Sequence, residues 1–237
     1  MECPRNNFDK EGKNCVISTR KADKIIKSAF NGKEARKPIF YIKYGPPASG
    51  KGGIMKVALA KDQLTDKSLV TIEVDSIIES NPGYIAERKN LMTNRDEEGK
   101  AALYWKYRGE ADVISDQILN QALLGSYDIA WETTGRTIAW TIREIKRIQK
   151  QGYSVTLIYP LVPADMLVSR SKARERETGQ TPAPEEQIRK GVSDAIDNLK
   201  KLIDVLDKVY LYDNSGRKGD EEIIIEINNG WDWTTEN

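Results

Sequence analysis

Apolar residues recur along the chain at two spacings, and the alternation between them outlines a fold. Short apolar runs at residues 38–44, 69–74, 127–131, 153–159 and 209–212 read as strands, and a last run at 223–227 reads as an edge strand. The run at 153–159 is nearly all apolar at its centre, as a parallel strand covered on both faces should be. Between the runs, apolar residues return every three or four positions, the helical period. A helix over residues 51–62 follows the first strand. Residues 111–124 place Val113, Ile114, Ile118, Leu119, Ala122 and Leu123 on one face, and Gly125 ends that helix. Ile138, Ile142, Ile145 and Ile148 define another, closed by Gln151 and Gly152. A long helix starting at Pro184 or Glu185 turns Ile188, Val192, Ile196, Leu199, Leu202 or Ile203, and Leu206 inward. Ahead of the first strand, Ser18 caps a helix reaching Phe30, with Ile25, Ile26 and Phe30 as its stripe. Asn81-Pro82-Gly83 breaks the helix after the second strand, and residues 91–107, charged and aromatic, show no clear period. Strand and helix repeat four times before a hairpin-like terminal pair. That order predicts an α/β fold: one doubly wound, mainly parallel sheet of five to six strands with helices on both faces. It also predicts a helical extension over residues 1–37 and one domain over 38–237.

Composition narrows the chemistry. The 237 residues are 39% apolar and 31% charged, with a net charge of +1, so nothing at this level calls for a nucleic acid or a membrane as partner. No apolar run approaches the roughly 20 residues of a membrane span. Residues 1–13 are polar and hold no signal-peptide core, which points to the cytoplasm. Cys3 and Cys15 are then expected as reduced thiols. Histidine is absent, which removes Ser-His and Cys-His triads, the common zinc sites and histidine as a general base. Proton transfer is left to carboxylates, lysine, tyrosine or water.

The first strand runs into Gly45-Pro46-Pro47-Ala48-Ser49-Gly50-Lys51-Gly52-Gly53, the phosphate-binding pattern G-x-x-x-x-G-K in a strand–loop–helix setting. Glycines let the backbone fold tightly so that N–H groups cradle an anion, the helix N-terminus adds its positive end, and Lys51 supplies a mobile charge for the β- and γ-phosphates. The Ser or Thr that usually follows the lysine and holds Mg²⁺ is Gly52; Lys-Gly occurs also in adenylate-kinase-like loops. Two further strands end in carboxylates, Asp75 and Glu132, at the edge of the sheet where ligands bind. Residues 163–184 carry Arg170, Arg174 and Arg176 and end in a Gly/Pro segment, the composition of a lid.

Phosphoryl transfer asks for these parts: Lys51, Mg²⁺ and the lid arginines Arg170 and Arg174 on the phosphates, Asp75 to orient the acceptor hydroxyl and take its proton, and Glu132 to order water on the metal or bond the acceptor. Thr134, Arg136 and Arg176 would fix the acceptor. Each residue also has a structural reading. Asp75 alone could cap a helix, Glu132 could pair with Arg136, and the arginines could form a solvated face. Tyr104, Trp105 and Tyr107 could stack on a base or pack in the core.

These residues together resemble the zeta-toxin family of phosphate-loop kinases. The resemblance rests on the loop, on Val74-Asp75 followed by Asn81-Pro82-Gly83-Tyr84, on residues 127–137 as a strand leading into a Glu-Gly-Thr-x-Arg-like step, on Gln151-Gly152-Tyr153, and on the Arg-rich segment reaching Thr181-Pro182. It implies a kinase-type P-loop NTPase fold and ATP- or GTP-dependent phosphorylation of a hydroxyl on a nucleotide sugar, UDP-N-acetylglucosamine, with Mg²⁺. It implies Asp75 as base, Glu132, Thr134 and Arg136 as the acceptor-contacting motif, and an antitoxin-like inhibitor protein as a partner. The sequence departs from the family at Gly52, at Ile78 or Glu79 where an arginine is usual, and at Thr133 where a glycine is usual. Two other functions compete: a kinase acting on nucleic acid, suggested by the basic and aromatic residues 100–108, and a non-catalytic nucleotide-binding interaction module, suggested by Gly52.

Overall fold

A computed structural model describes residues 19–33, 38–64, 69–94, 97–135, 137–178, 184–216 and 222–228. The chain divides into two compact units, one built from residues 1–33 and 70–125, the other from 34–69 and 126–237.

Among the described residues, the second unit contains five of six strands in the order β3-β1-β4-β5-β6, where β1 is Ile39–Tyr44, β3 Ile129–Thr133, β4 Ser154–Leu161, β5 Lys208–Asp213 and β6 Glu222–Asn228. β1 lies parallel between β3 and β4, β4 runs parallel to β5, and β6 is antiparallel to β5 at the edge. Every residue of β1 from Phe40 to Tyr44 is buried, Lys43 included. Tyr41 faces a core of Ile54, Met55, Ala58 and Leu59 from α2 (Lys51–Lys61), with Ala130, Ile158, Tyr210 and Tyr212 from the neighbouring strands. Phe40, one residue away and so on the opposite face, meets Trp131, which in turn contacts Trp140 of α6 (Ile138–Gln149). Helices therefore cover both faces, as the apolar runs require. A smaller cluster joins Val162, Leu167 and Val168 to Ile188, packing α7 (Ala164–Thr178) against α8 (Glu185–Ile203). The mainly parallel, doubly wound sheet and the hairpin-like end are as the sequence predicts. Its third strand begins and ends two residues later than expected, so Glu132 and Thr133 lie within the ladder, opposite Lys43 and Tyr44.

The first unit is helical around α5 (Glu97–Leu124), against which α1 (Thr19–Ala29), α3 (Val74–Glu79) and α4 (Pro82–Asn94) pack. α5 extends well ahead of the stretch that its apolar stripe marks. Charged and aromatic residues obscure the period over its first half, yet Leu103 is buried there as Val113, Ile114 and Ile118 are further on. The remaining strand, β2 (Val70–Ile72), is three residues long and stops short of Asp75. Glu73 is the N-cap of α3, and Asp75 stands in that helix's first turn, not at a strand end. Asn81 separates α3 from α4. Its Oδ1 accepts the Gly83 N–H at 2.9 Å, and Pro82 takes the first helical position, where no N–H is needed. Cys3, Cys15, Arg136, Thr181, Pro182 and the last tryptophans lie outside the described residues.

Candidate active site

The phosphate loop leaves β1 at Gly45 (φ +125°) and enters α2 through Gly50 (φ +84°), with Ala48 also at positive φ (+62°). Gly50 is the N-cap and offers no capping side chain, so the first N–H groups of α2 have no side-chain acceptor from the position that usually supplies one. This arrangement suits an anion. Lys51 is 7% exposed and folds back over the loop. Its Nζ donates to the carbonyls of Gly45 (3.1 Å) and Pro46 (3.0 Å) and lies 3.4 Å from Glu132 Oε1.

Glu132 receives a second cation. Lys43, 3% exposed, sits opposite it in the β1–β3 register with Nζ 3.7 Å from Oε2. The carboxylate at the end of β3 thus faces two lysines of the adjacent strand and loop, which makes the ion pair with Arg136 unnecessary to explain it. Lys43 escaped sequence reasoning, although a lysine inside an otherwise apolar central strand is itself a signal, because a buried ammonium needs a partner. The turn after Glu132 is shaped by packing. Gly135 has φ +68°, and a Cβ there would meet the Tyr44 ring at 2.2 Å. Thr133 Oγ1 accepts the Gly135 N–H (3.1 Å), Asn198 donates to the Gly135 carbonyl (3.2 Å), and the Tyr44 hydroxyl donates to the Ala195 carbonyl (2.9 Å). Burial pushes the Tyr44 hydroxyl well above its ordinary range. Thr134 is partly exposed in this turn, while Arg136 falls outside the described residues.

On α7, Arg174 and Arg176 are exposed, whereas Arg170 is partly buried and its Nη2 donates to the Asn214 carbonyl at 2.8 Å. Arg189 of α8 bonds Asp165 (2.5 Å) and Glu185 (2.9 Å), tying the two helices together; these acceptors raise its pKa.

In the first unit, Asp75 is 73% exposed and is held from α5. Tyr104 donates its hydroxyl to Oδ1 at 2.9 Å, and Arg108 Nη1 stands 3.9 Å away. Arg108 also donates to the Tyr104 hydroxyl (2.6 Å) and to Asp112 (3.0 Å). Burial and the Asp75 charge push Tyr104 up to about 12. Tyr107 donates to Glu87 instead (2.8 Å), and Trp105 is exposed. Of the three aromatics, Tyr104 and Tyr107 therefore serve hydrogen bonds to carboxylates, a use that spacing alone did not reveal. Among the described residues no three carboxylate or thiol groups gather as a metal site. One carboxylate beside a phosphate loop does fit Mg²⁺, which keeps several waters and is bound through one or two carboxylates and the substrate's phosphates.

The sequence profile of the family described as Zeta toxin matches residues 22–227. This chain belongs to the zeta toxin family. Its fold is that of P-loop, kinase-type phosphotransferases. Among solved structures, one from the PezAT chromosomal toxin–antitoxin system of Streptococcus pneumoniae is similar at a TM-score of 0.68 and 18% identity, covering 90% of this chain and 82% of that one. The AvrRxo1-ORF1:-ORF2 complex with ATP is similar at a TM-score of 0.58 and 12% identity, over 89% of this chain and 67% of that one. The same complex with sulphate ions gives 0.59 and 14%, over 90% and 68%. No curated protein matches the chain in sequence. Among the described residues no helix is long and apolar enough to cross a membrane.

Proposed function

We propose that the protein is an ATP- or GTP-dependent kinase that phosphorylates a hydroxyl of a small molecule, a nucleotide sugar such as UDP-N-acetylglucosamine. The observation that carries this reading is Lys51, buried over its own loop carbonyls and facing Glu132, where the β- and γ-phosphates of a nucleotide would replace those carbonyls as its partners. A related fold that holds ATP supports a nucleotide at this loop. Lys51 and the lid arginine Arg174 neutralise the γ-phosphate in this scheme, and Arg170 adds to them. Glu132 would hold Mg²⁺, which supplies charge neutralisation on the triphosphate. The acceptor oxygen attacks the γ-phosphorus, its proton passes to the Asp75 carboxylate, and the bond to the β–γ bridging oxygen breaks to release the nucleoside diphosphate. Thr134, Arg136 and Arg176 hold the acceptor.

The related structures are a toxin–antitoxin system and a two-protein complex, which supports an inhibitor protein as partner of this chain too. Its place of action in this reading is the cytoplasm. The test is transfer of label from γ-labelled ATP to a panel of nucleotide sugars, nucleosides and oligonucleotides by wild type, Lys51→Ala and Asp75→Asn. A labelled nucleotide sugar, lost in both variants, is the expected result. Label on the oligonucleotides alone would make the protein a nucleic-acid kinase, and three equal activities would end the catalytic assignment.

A further inference from the structure

A side chain just after β5 fastens the phosphate loop. Asn214 is 7% exposed, and its Nδ2 donates to the Ser49 carbonyl at 2.7 Å. A carbonyl oxygen accepts only from a donor, which fixes the orientation of the amide. The backbone of Asn214 is itself held twice: its N–H donates to the Leu161 carbonyl at 3.1 Å, and its carbonyl accepts from Arg170 at 2.8 Å. The amide also fills the space beside Gly50, where a Cβ would lie 2.2 Å from Nδ2. Residue 50 is thus confined to glycine by Asn214 as well as by its positive φ.

The consequence lies in the peptide plane between Ser49 and Gly50. The described residues contain no cis peptide, and in a trans peptide the C=O and the following N–H point in opposite directions. Pinning the Ser49 carbonyl toward Asn214 therefore sends the Gly50 N–H the other way. The Ser49 hydroxyl, fully buried and without a hydrogen-bond partner, does not help to set that plane. We propose that Asn214 is a positioning residue for nucleotide binding: by holding the Ser49 carbonyl it aims the Gly50 N–H at the bound triphosphate, and Arg170 steadies it through its backbone. The proposal rests on the reading that this loop binds a nucleoside triphosphate.

The experiment titrates the full chain with a fluorescent ATP analogue and with inorganic triphosphate as competitor, for wild type, Lys51→Ala, Asn214→Ala and the isosteric Asn214→Asp. Asn214→Ala should weaken both ligands by the same factor, about tenfold, the effect of one buried hydrogen bond on an equilibrium. Asn214→Asp, whose side chain has no N–H to donate and adds a negative charge, should weaken them further. The acceptor KM should stay unchanged, which a general loosening of the fold would not allow. Wild-type affinity in Asn214→Asp alongside a weakened Lys51→Ala overturns the positioning role and leaves the nucleotide reading standing. A loss for the ATP analogue but not for inorganic triphosphate overturns it too, since Asn214 would then be reading the nucleoside. Equal binding by wild type and Lys51→Ala removes the nucleotide reading itself.

Discussion

The two units hold their chemistry in opposite ways. In the second, Lys43 inside β1, Lys51 on the first turn of α2 and Asn214 just after β5 are buried polar groups, each with partners close by. In the first, Asp75 is an exposed carboxylate on the opening turn of a short helix, held by two side chains of a long one. Buried polar groups are costly to leave unpaired, so their geometry is specified by the core around them. An exposed carboxylate is solvated whatever its neighbours do, so Tyr104 and Arg108 can aim it without the stability of the unit depending on them. The difference predicts that changes in the second unit act on folding and nucleotide binding together, and changes around Asp75 act on turnover.

The largest expected effect is on pH dependence. Burial pushes Tyr153 and Tyr159 up to about 12, and Tyr41, Tyr44, Tyr210 and Tyr212 upward as well, Tyr41 also through its bond to Asp62. An unfolded tyrosine ionises near about 10. Between those pH values the unfolded chain binds fewer protons than the folded one, so stability is complete below pH ~10 and falls by about 1.4 kcal/mol per pH unit for each such ring as the pH rises. Circular dichroism through an alkaline titration should show cooperative unfolding beginning above pH ~10. A fold indifferent to pH 12 would deny these hydroxyls a role. Next, Lys51→Ala should cut phosphoryl transfer by ~10²–10³-fold, the cost of removing one preorganised positive group; a milder loss in a label-transfer assay would move the phosphate site elsewhere.

Gly135→Ala should then destabilise the protein by about 3 kcal/mol in urea unfolding, through a positive φ and a collision with the Tyr44 ring. If it unfolds like wild type, the turn after Glu132 is not held as tightly as its contacts require. Tyr104→Phe removes the hydroxyl that bonds Asp75 and should lower kcat about tenfold while the KM for ATP stays unchanged. A rise in the KM for ATP with kcat intact would erase the contrast between the units. The smallest change belongs to Trp105→Ala. With the indole 62% exposed, stability should stay within about 0.5 kcal/mol of wild type, and a larger drop in thermal unfolding would show that its edge contact with the Tyr104 ring carries stability.

The sequence announces some of this plainly. A mainly parallel sheet of five to six strands with a hairpin-like end follows from apolar runs whose length and spacing suit a covered sheet. The loop at Gly45–Lys51 is legible because its glycines and lysine are chemically demanding at fixed spacing. Three things were not legible. The first half of α5 hides behind charged and aromatic residues, because a long helix can be held by packing on a few turns and by side-chain pairs along the others. Asp75 looked like a strand end because β2 is shorter than the apolar run that precedes it. Asn214 carries no signal in the sequence because its partner, the Ser49 carbonyl, is 165 residues away in the chain.

What the sequence determined by itself is local and periodic: which segments are strands or helices, and where a backbone can fold around a phosphate. Those properties depend on residues within a few positions of one another. Only the tertiary structure decided that Lys43 and Lys51 share Glu132, that Tyr104 and Arg108 hold Asp75, and that Asn214 grips the loop. Each of these pairings joins distant parts of the chain through a polar contact of a few ångströms. Hydrophobic periodicity says which face of an element is buried, but not which polar group it meets there.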